Sequence, residues 1–127
     1  MCTRRARGRE ENDPLDIAAE PPRQFTVQGI LALEREVLQT SGVAGVVLRC
    51  GYFHGPDTWY ATPPKPPSIH VDAAAHAALL SLDKGSGIYN IAEDGGAVSS
   101  AKAKRELGFD PAFRIRARLA QEFEGWG

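Results

Sequence analysis

Val47-Leu48-Arg49-Cys50-Gly51-Tyr52-Phe53-His54-Gly55-Pro56-Asp57-Thr58-Trp59-Tyr60 is a short apolar run that breaks abruptly into glycine, aromatics, histidine and proline. With Val46 ahead of it, the run Val46-Val47-Leu48 is unalternated and rich in β-branched residues. It asks for apolar cover on both faces, the setting of a strand in a parallel α/β sheet. In open sheets of that kind, ligands bind just beyond the carboxyl ends of the strands. Gly51 and Gly55 allow a tight turn or a close backbone approach, and Pro56 stiffens the exit. Tyr52, Phe53 and His54 offer stacking faces and hydrogen-bonding groups. The stretch therefore reads as a strand delivering a ligand-binding loop, and equally as a plain surface turn.

The surrounding sequence extends the α/β pattern. Val27, Ile30, Leu31, Val37 and Leu38 recur at helical spacing between Gln24 and Ser41, with Glu34, Arg35 and Glu36 expected toward the opposite face. Ser41-Gly42 is a stop signal. Thr62-Pro63-Pro64-Lys65-Pro66-Pro67 reads as a stiff extended spacer. Ser68-Ile69-His70-Val71 reads as a short strand, and Asp72 as the N-cap of an alanine-rich helix from Ala73 to about Leu82. Ile88 to Ala92 forms another buried strand. Ser99 or Ser100 caps a helix to Leu107, with Gly108 as its stop. Leu119, Phe123 and Trp126 outline a last helix. Alternation of helices and strands in this order predicts an α/β fold with parallel strands and flanking helices.

Composition narrows the function classes. The 127 residues carry a net charge of −1, so there is no global basic field for nucleic acid or an anionic membrane. No apolar run approaches the roughly 20 residues that span a bilayer. Two dissimilarly placed cysteines, Cys2 and Cys50, do not make a disulfide framework, which fits a cytoplasmic setting. Residues 1–23 mix Arg4, Arg5, Arg7 and Arg9 with Glu10, Glu11, Asp13 and Asp16, and read as a flexible leader rather than a targeting signal. The domain proper is expected over residues 24–127.

Taken together, Val47 to Thr58, Ser68 to Ala75, Gly87-Ile88-Tyr89-Asn90-Ile91-Ala92 and Lys104-Arg105-Glu106-Leu107-Gly108-Phe109-Asp110-Pro111 resemble, in order and spacing, the carboxyl-terminal half of an extended short-chain dehydrogenase/reductase. This is the NAD-dependent epimerase/dehydratase family. The resemblance implies a partial Rossmann-like fold, NAD or NADP as cofactor, and a sugar nucleotide or a small carbonyl or alcohol as substrate. It places Gly51, Tyr52, Phe53 and His54 at the cofactor, and Arg49, Pro56 and Thr58 at the substrate. Arg49 reads equally well as a strand-end arginine paired with a carboxylate. The resemblance also implies either a homodimer through the helix over residues 24–41 or a separate cofactor lobe.

Two departures from the family pattern stand out. A dinucleotide pyrophosphate needs a glycine-rich turn after a strand, so that the backbone can approach it at a helix N-terminus. Gly42-Val43-Ala44-Gly45 lies between a helix and a strand, the reverse order. The family's Tyr-x-x-x-Lys pair, whose lysine lowers the tyrosine pKa, falls on Thr26 and Ile30 when its helix is aligned through Glu34. Neither residue can do that work. The expectation is an oxidoreductase-like chain, truncated or catalytically degenerate, and the alternative is a noncatalytic binding or dimerisation module from the same family. His70, Asp72 and His76 in an H-x-D-x-x-x-H pattern read more simply as a helix cap with a neighbouring histidine than as metal ligands.

Overall fold

The computed structural model describes residues 9–13, 15 and 20–116. Its elements are α1 (Arg23–Gln39), β1 (Val46–Cys50), β2 (Tyr52–His54), β3 (Ser68–His70), α2 (Val71–Leu80), β4 (Gly87–Ile91) and α3 (Ala101–Leu107). The fold is mixed α/β with parallel strands and flanking helices, compatible with part of a Rossmann-like domain.

β1 and β4 pair in parallel from Val46 opposite Gly87 to Cys50 opposite Ile91. β2 pairs in parallel with β3, with Tyr52, Phe53 and His54 opposite Ser68, Ile69 and His70. The two ladders meet at Gly51. The Gly51 amide donates to the Ile91 carbonyl at 2.9 Å, the next amide, Tyr52, donates to Pro67 at 2.9 Å, and Glu93 N–H donates to Ser68 at 2.8 Å. β3 is thus wedged between β2 and the chain leaving β4. A Cβ at residue 51 would lie 2.8 Å from the Ser68 nitrogen and 2.9 Å from the Pro67 carbonyl. Only glycine lets the strands part this closely.

The core sits on the face of the strands covered by α2 and α3. Ile69, Ala73, Ala77, Tyr89, Ile91, Ala103 and Leu107 are buried, with Val46 and Leu48 of β1 packed against them. The alanines of α2 and α3 present small side chains, which leaves room for the fully buried Tyr89 among them. Its hydroxyl donates to Glu106 at 2.9 Å and accepts from the Ser86 amide at 3.0 Å. α1 packs on the opposite face, against β1.

Several elements differ from the sequence expectation. β2 occupies part of what reads as loop: with alternation over only three residues, its partner β3 decides the conformation. α2 starts at Val71 with His70 as N-cap, whose Nδ1 accepts the Asp72 amide at 3.1 Å; the carboxylate of Asp72 instead accepts the Ile115 amide at 3.2 Å. Ser100 stands at the N-cap of α3 but turns its hydroxyl to the backbone of Ala92, and Ser99 Oγ accepts the Ala101 amide at 3.3 Å. α3 stops at Gly108, φ 75°, as expected. Glu34 faces inward rather than outward, and is 5% exposed. Leu119, Phe123 and Trp126 lie outside the described residues, as does most of the stretch read as a leader. Within that stretch Arg9 runs beside Val98, donating to Ala97 at 2.7 Å and accepting from Ser99 at 2.8 Å.

Candidate functional site

A cavity of about 340 Å3 opens at the carboxyl ends of β1 and β4. Its wall includes Cys50 and Gly51 from the end of β1, Ala92 from just beyond β4, and Thr26 and Ile30 from α1. This is the position at which an open parallel sheet binds ligands, and the volume is of small-ligand size. Thr26 and Ile30 are four residues apart and so share one helix face. The two positions at which the resemblance expects a tyrosine and a lysine thus look into one cavity at the strand ends.

The helix is held over that cavity by an ion pair. Arg49 donates from Nε to Glu34 Oε2 at 2.8 Å and from Nη2 to Oε1 at 2.6 Å. The two-pronged contact with a nearly enclosed carboxylate pushes the guanidinium pKa up. Arg49 therefore has the carboxylate partner that a strand-end arginine reading asks for, while still contributing to the cavity wall.

The remaining residues singled out by sequence divide into two groups. Gly51 lines the cavity. Tyr52 and Phe53 are exposed, whereas His54 is buried, with Nε2 2.7 Å from Glu93 Oε1. Glu93 also accepts from Ser68 Oγ at 3.1 Å, so the carboxylate stands between serine and histidine. That order is not the one in which a histidine activates a serine. The ring of His54 meets the ring of His70 edge-on at 5.3 Å. Gly55, φ 115°, allows this contact, since a Cβ there would lie 2.7 Å from His70 Nε2. Pro56 is exposed, and the Thr58 hydroxyl lies 2.8 Å from the Gly55 carbonyl and 2.9 Å from that of Tyr60, closing the loop on itself.

His70 caps α2 through Nδ1, and desolvation, followed by the charge of Arg114, lowers its pKa. His76 stacks on Phe113 with ring centroids 3.9 Å apart. The histidines of the H-x-D-x-x-x-H pattern are thus occupied in different places, and among the described residues no group of three or more His, Cys, Asp or Glu side chains could hold a metal ion. Asp94, in the acidic turn after β4, pairs with Lys104 at 2.6 Å. Sequence reasoning reads Glu34 as solvated and Glu93 as part of a solvated acidic turn, and misses their pairing with Arg49 and His54. The burial of Glu34 was findable, because it continues the spacing of Val27, Ile30 and Leu31; Glu93 carried no comparable signal.

A parallel strand pair with a cavity at its carboxyl ends is the setting into which the comparison with known proteins falls. The chain is similar to a reductase. That relative, the 3-diazoavenalumate denitrifying reductase of a Streptomyces species, is 30% identical over 141 residues, covering 92% of this chain and 46% of the relative. The chain therefore spans about half the length of the curated relative it matches. No family model matches the chain, and no solved structure matches it. No helix among the described residues is long and apolar enough to cross a membrane.

Proposed function

We propose that this chain forms the substrate-side part of a nicotinamide-dependent reductase of the extended short-chain dehydrogenase type, with the family's acid/base pair absent. The observation that carries the reading is the convergence of Thr26, Ile30, Cys50 and Gly51 on one cavity at the carboxyl ends of two parallel strands. The similarity to a reductase along most of the chain supports it independently.

The residues present fit a dinucleotide only in part. Gly51 lies on the cavity wall beside Thr26 and Ile30, but among the described residues no glycine-rich turn follows a strand and opens a helix, so the pyrophosphate has no cradle. Thr26 can donate a hydrogen bond to a substrate oxygen, yet its hydroxyl does not ionise in the range of a working acid, and Ile30 supplies no charge. In this reading the chain binds and encloses a small organic substrate. Proton transfer and the pyrophosphate site belong to groups that it does not carry. The relative's name specifies a diazo acid and a denitrifying reduction; for this chain we place the substrate among small carbonyl, diazo or sugar-nucleotide compounds that a hydride donor can reduce.

Titration of the purified chain with NADH and NADPH by calorimetry, repeated on Ile30→Trp, tests the reading. Saturable binding that appears only when the unmatched portion of the relative is added, and that is lost when the indole fills the cavity, is the expected result. Absence of binding by the chain, and by the chain supplemented with the unmatched portion of the relative, would leave the alternative reading, a noncatalytic binding or dimerisation module.

A further inference from the structure

Arg49 and Asn90 stand opposite each other in the parallel pairing of β1 and β4. Residues opposed in this way project from the same face of the sheet, on strands about 4.8 Å apart. Both contribute to the wall of the cavity at the strand ends.

Each side chain is fixed by contacts that use part of it and leave the rest. Asn90 is 6% exposed, and its Nδ2 lies 3.3 Å from the Arg9 carbonyl and 3.3 Å from the Ser99 carbonyl. Two acceptors around one atom require that atom to be the amino group, so the amide has one orientation. Oδ1 is left as an enclosed acceptor with no hydrogen-bond partner among the described residues. A buried acceptor of this kind is costly until a donor reaches it. Arg49 gives one N–H from Nε and one from Nη2 to Glu34. The other three N–H groups, at the end of the planar guanidinium, have no hydrogen-bond partner among the described residues.

Charge restricts what these groups can meet. Among the described residues, Arg9, Arg23 and Arg49 on the wall are balanced by Glu10 and Asp13 there and by Glu34 on Arg49. A cavity so balanced has no surplus cation for a phosphate or a free carboxylate. It suits a neutral group that offers an acceptor and a donor side by side.

We propose, on the reading of this cavity as a substrate site, that Arg49 and Asn90 form a subsite for a neutral carboxamide, whose carbonyl accepts from the free end of the guanidinium and whose N–H donates to Asn90 Oδ1. A carboxamide carries its acceptor and donor on one carbon, as a bridge between side chains on neighbouring strands requires. The backbone of Arg9, in the stretch that the sequence presents as a leader, positions the asparagine. Nicotinamide rings and amide substrates both carry this group.

An NMR titration of the full chain with benzamide, acetophenone and benzoate tests it. The three have nearly the same shape; acetophenone lacks the donor, and benzoate lacks it and is charged. Benzamide is expected to bind at least about tenfold more tightly than either, because the other two leave Oδ1 without a donor. It should also shift the side-chain N–H signals of Asn90 and Arg49. Asn90→Leu should abolish the preference for benzamide over acetophenone while leaving the binding of acetophenone itself unchanged. If that variant fails to fold, the comparison of the three ligands on the parent chain still decides. Displacement of benzamide by reduced nicotinamide mononucleotide would assign the carboxamide to the coenzyme, and retention of benzamide would assign it to the substrate. Failure of NADH and NADPH to bind, with the benzamide preference intact, would remove the hydride reading and leave the subsite standing. Absence of benzamide binding, equal affinity for benzamide and acetophenone, tighter binding of benzoate, or a preference that survives Asn90→Leu would each overturn the proposal.

Discussion

Glu34 of α1 and Arg49 of β1 are joined by two hydrogen bonds of 2.6 and 2.8 Å, with the carboxylate 5% exposed. This pair ties the helix that roofs the cavity to the strand that ends in it. Removing one member strands a charge in a place that water barely reaches. Arg49→Met should therefore destabilise the chain by about 2–4 kcal/mol in urea unfolding, and Glu34→Gln by a similar amount. The double variant Glu34→Leu with Arg49→Met should cost less than the sum of the two, because no lone charge remains. Additive losses would show that the two side chains contribute separately, and that the pair does not hold α1 in place.

Gly51 carries a different kind of constraint. With Ser68 and Pro67 backbone atoms 2.8–2.9 Å from where a Cβ would sit, Gly51→Ala has to push β3 away from the junction of β1 and β2. A loss of about 1–3 kcal/mol is expected, the range of an overpacked interior. Thermal melting measures it, and the amide of Tyr52, bonded to Pro67, should become the first in β2 to lose exchange protection. An unchanged melting temperature would mean that the wedge of β3 is not tight.

The order of elements was legible in the sequence because each long element carries its own period: Val27 to Leu38 for α1, Val46 to Leu48 for β1, Ile88 to Ile91 for β4. What failed to show was set by partners distant in sequence. β2 owes its conformation to Ser68–His70, fourteen or more residues on, and no local pattern encodes that pairing. His54 reads as a ligand-contacting residue next to glycines, yet its ring is claimed by Glu93, thirty-nine positions away. Glu34 looks solvated beside Arg35 and Glu36, although its place on the apolar stripe foretells burial and hence a cationic partner. The cavity itself follows from the strand order, and its wall holds Thr26 and Ile30, the positions at which the resemblance expects a tyrosine and a lysine that the sequence lacks.

His70 gives the chain an acid-sensitive point. Its Nδ1 must be unprotonated to accept the Asp72 amide, and desolvation with the nearby charge of Arg114 lowers its pKa in the fold. In the unfolded chain the ring takes its proton near the ordinary value of about 6.5, while the folded chain takes it only at lower pH. Between those two values the unfolded state holds more protons, so folding stability rises with pH. The contribution of His70 is complete above about pH 6.5 and is lost as pH falls through its folded pKa. Urea unfolding of His70→Asn, which keeps a capping side chain without the titration, should show a shallower acid loss than the parent. An equal slope in the two proteins would place the acid sensitivity elsewhere.

The bareness of the cavity's acid/base position can be tested by restoring it. Thr26 and Ile30 stand one helical turn apart on the same wall, so Thr26→Tyr with Ile30→Lys would set an ammonium beside a phenol. A neighbouring cation favours the phenolate, and the new tyrosine should titrate below the ordinary value of about 10. Absorbance titration reads this directly, as the difference between the double variant and Thr26→Tyr alone, and requires no substrate. A shift of about one unit or more corresponds to about 1.4 kcal/mol of interaction between the two groups. Identical titration in the single and double variants would mean that the two side chains diverge. In that case the alignment of α1 through Glu34, and with it the reading of the cavity as a depleted reductase site, would fall.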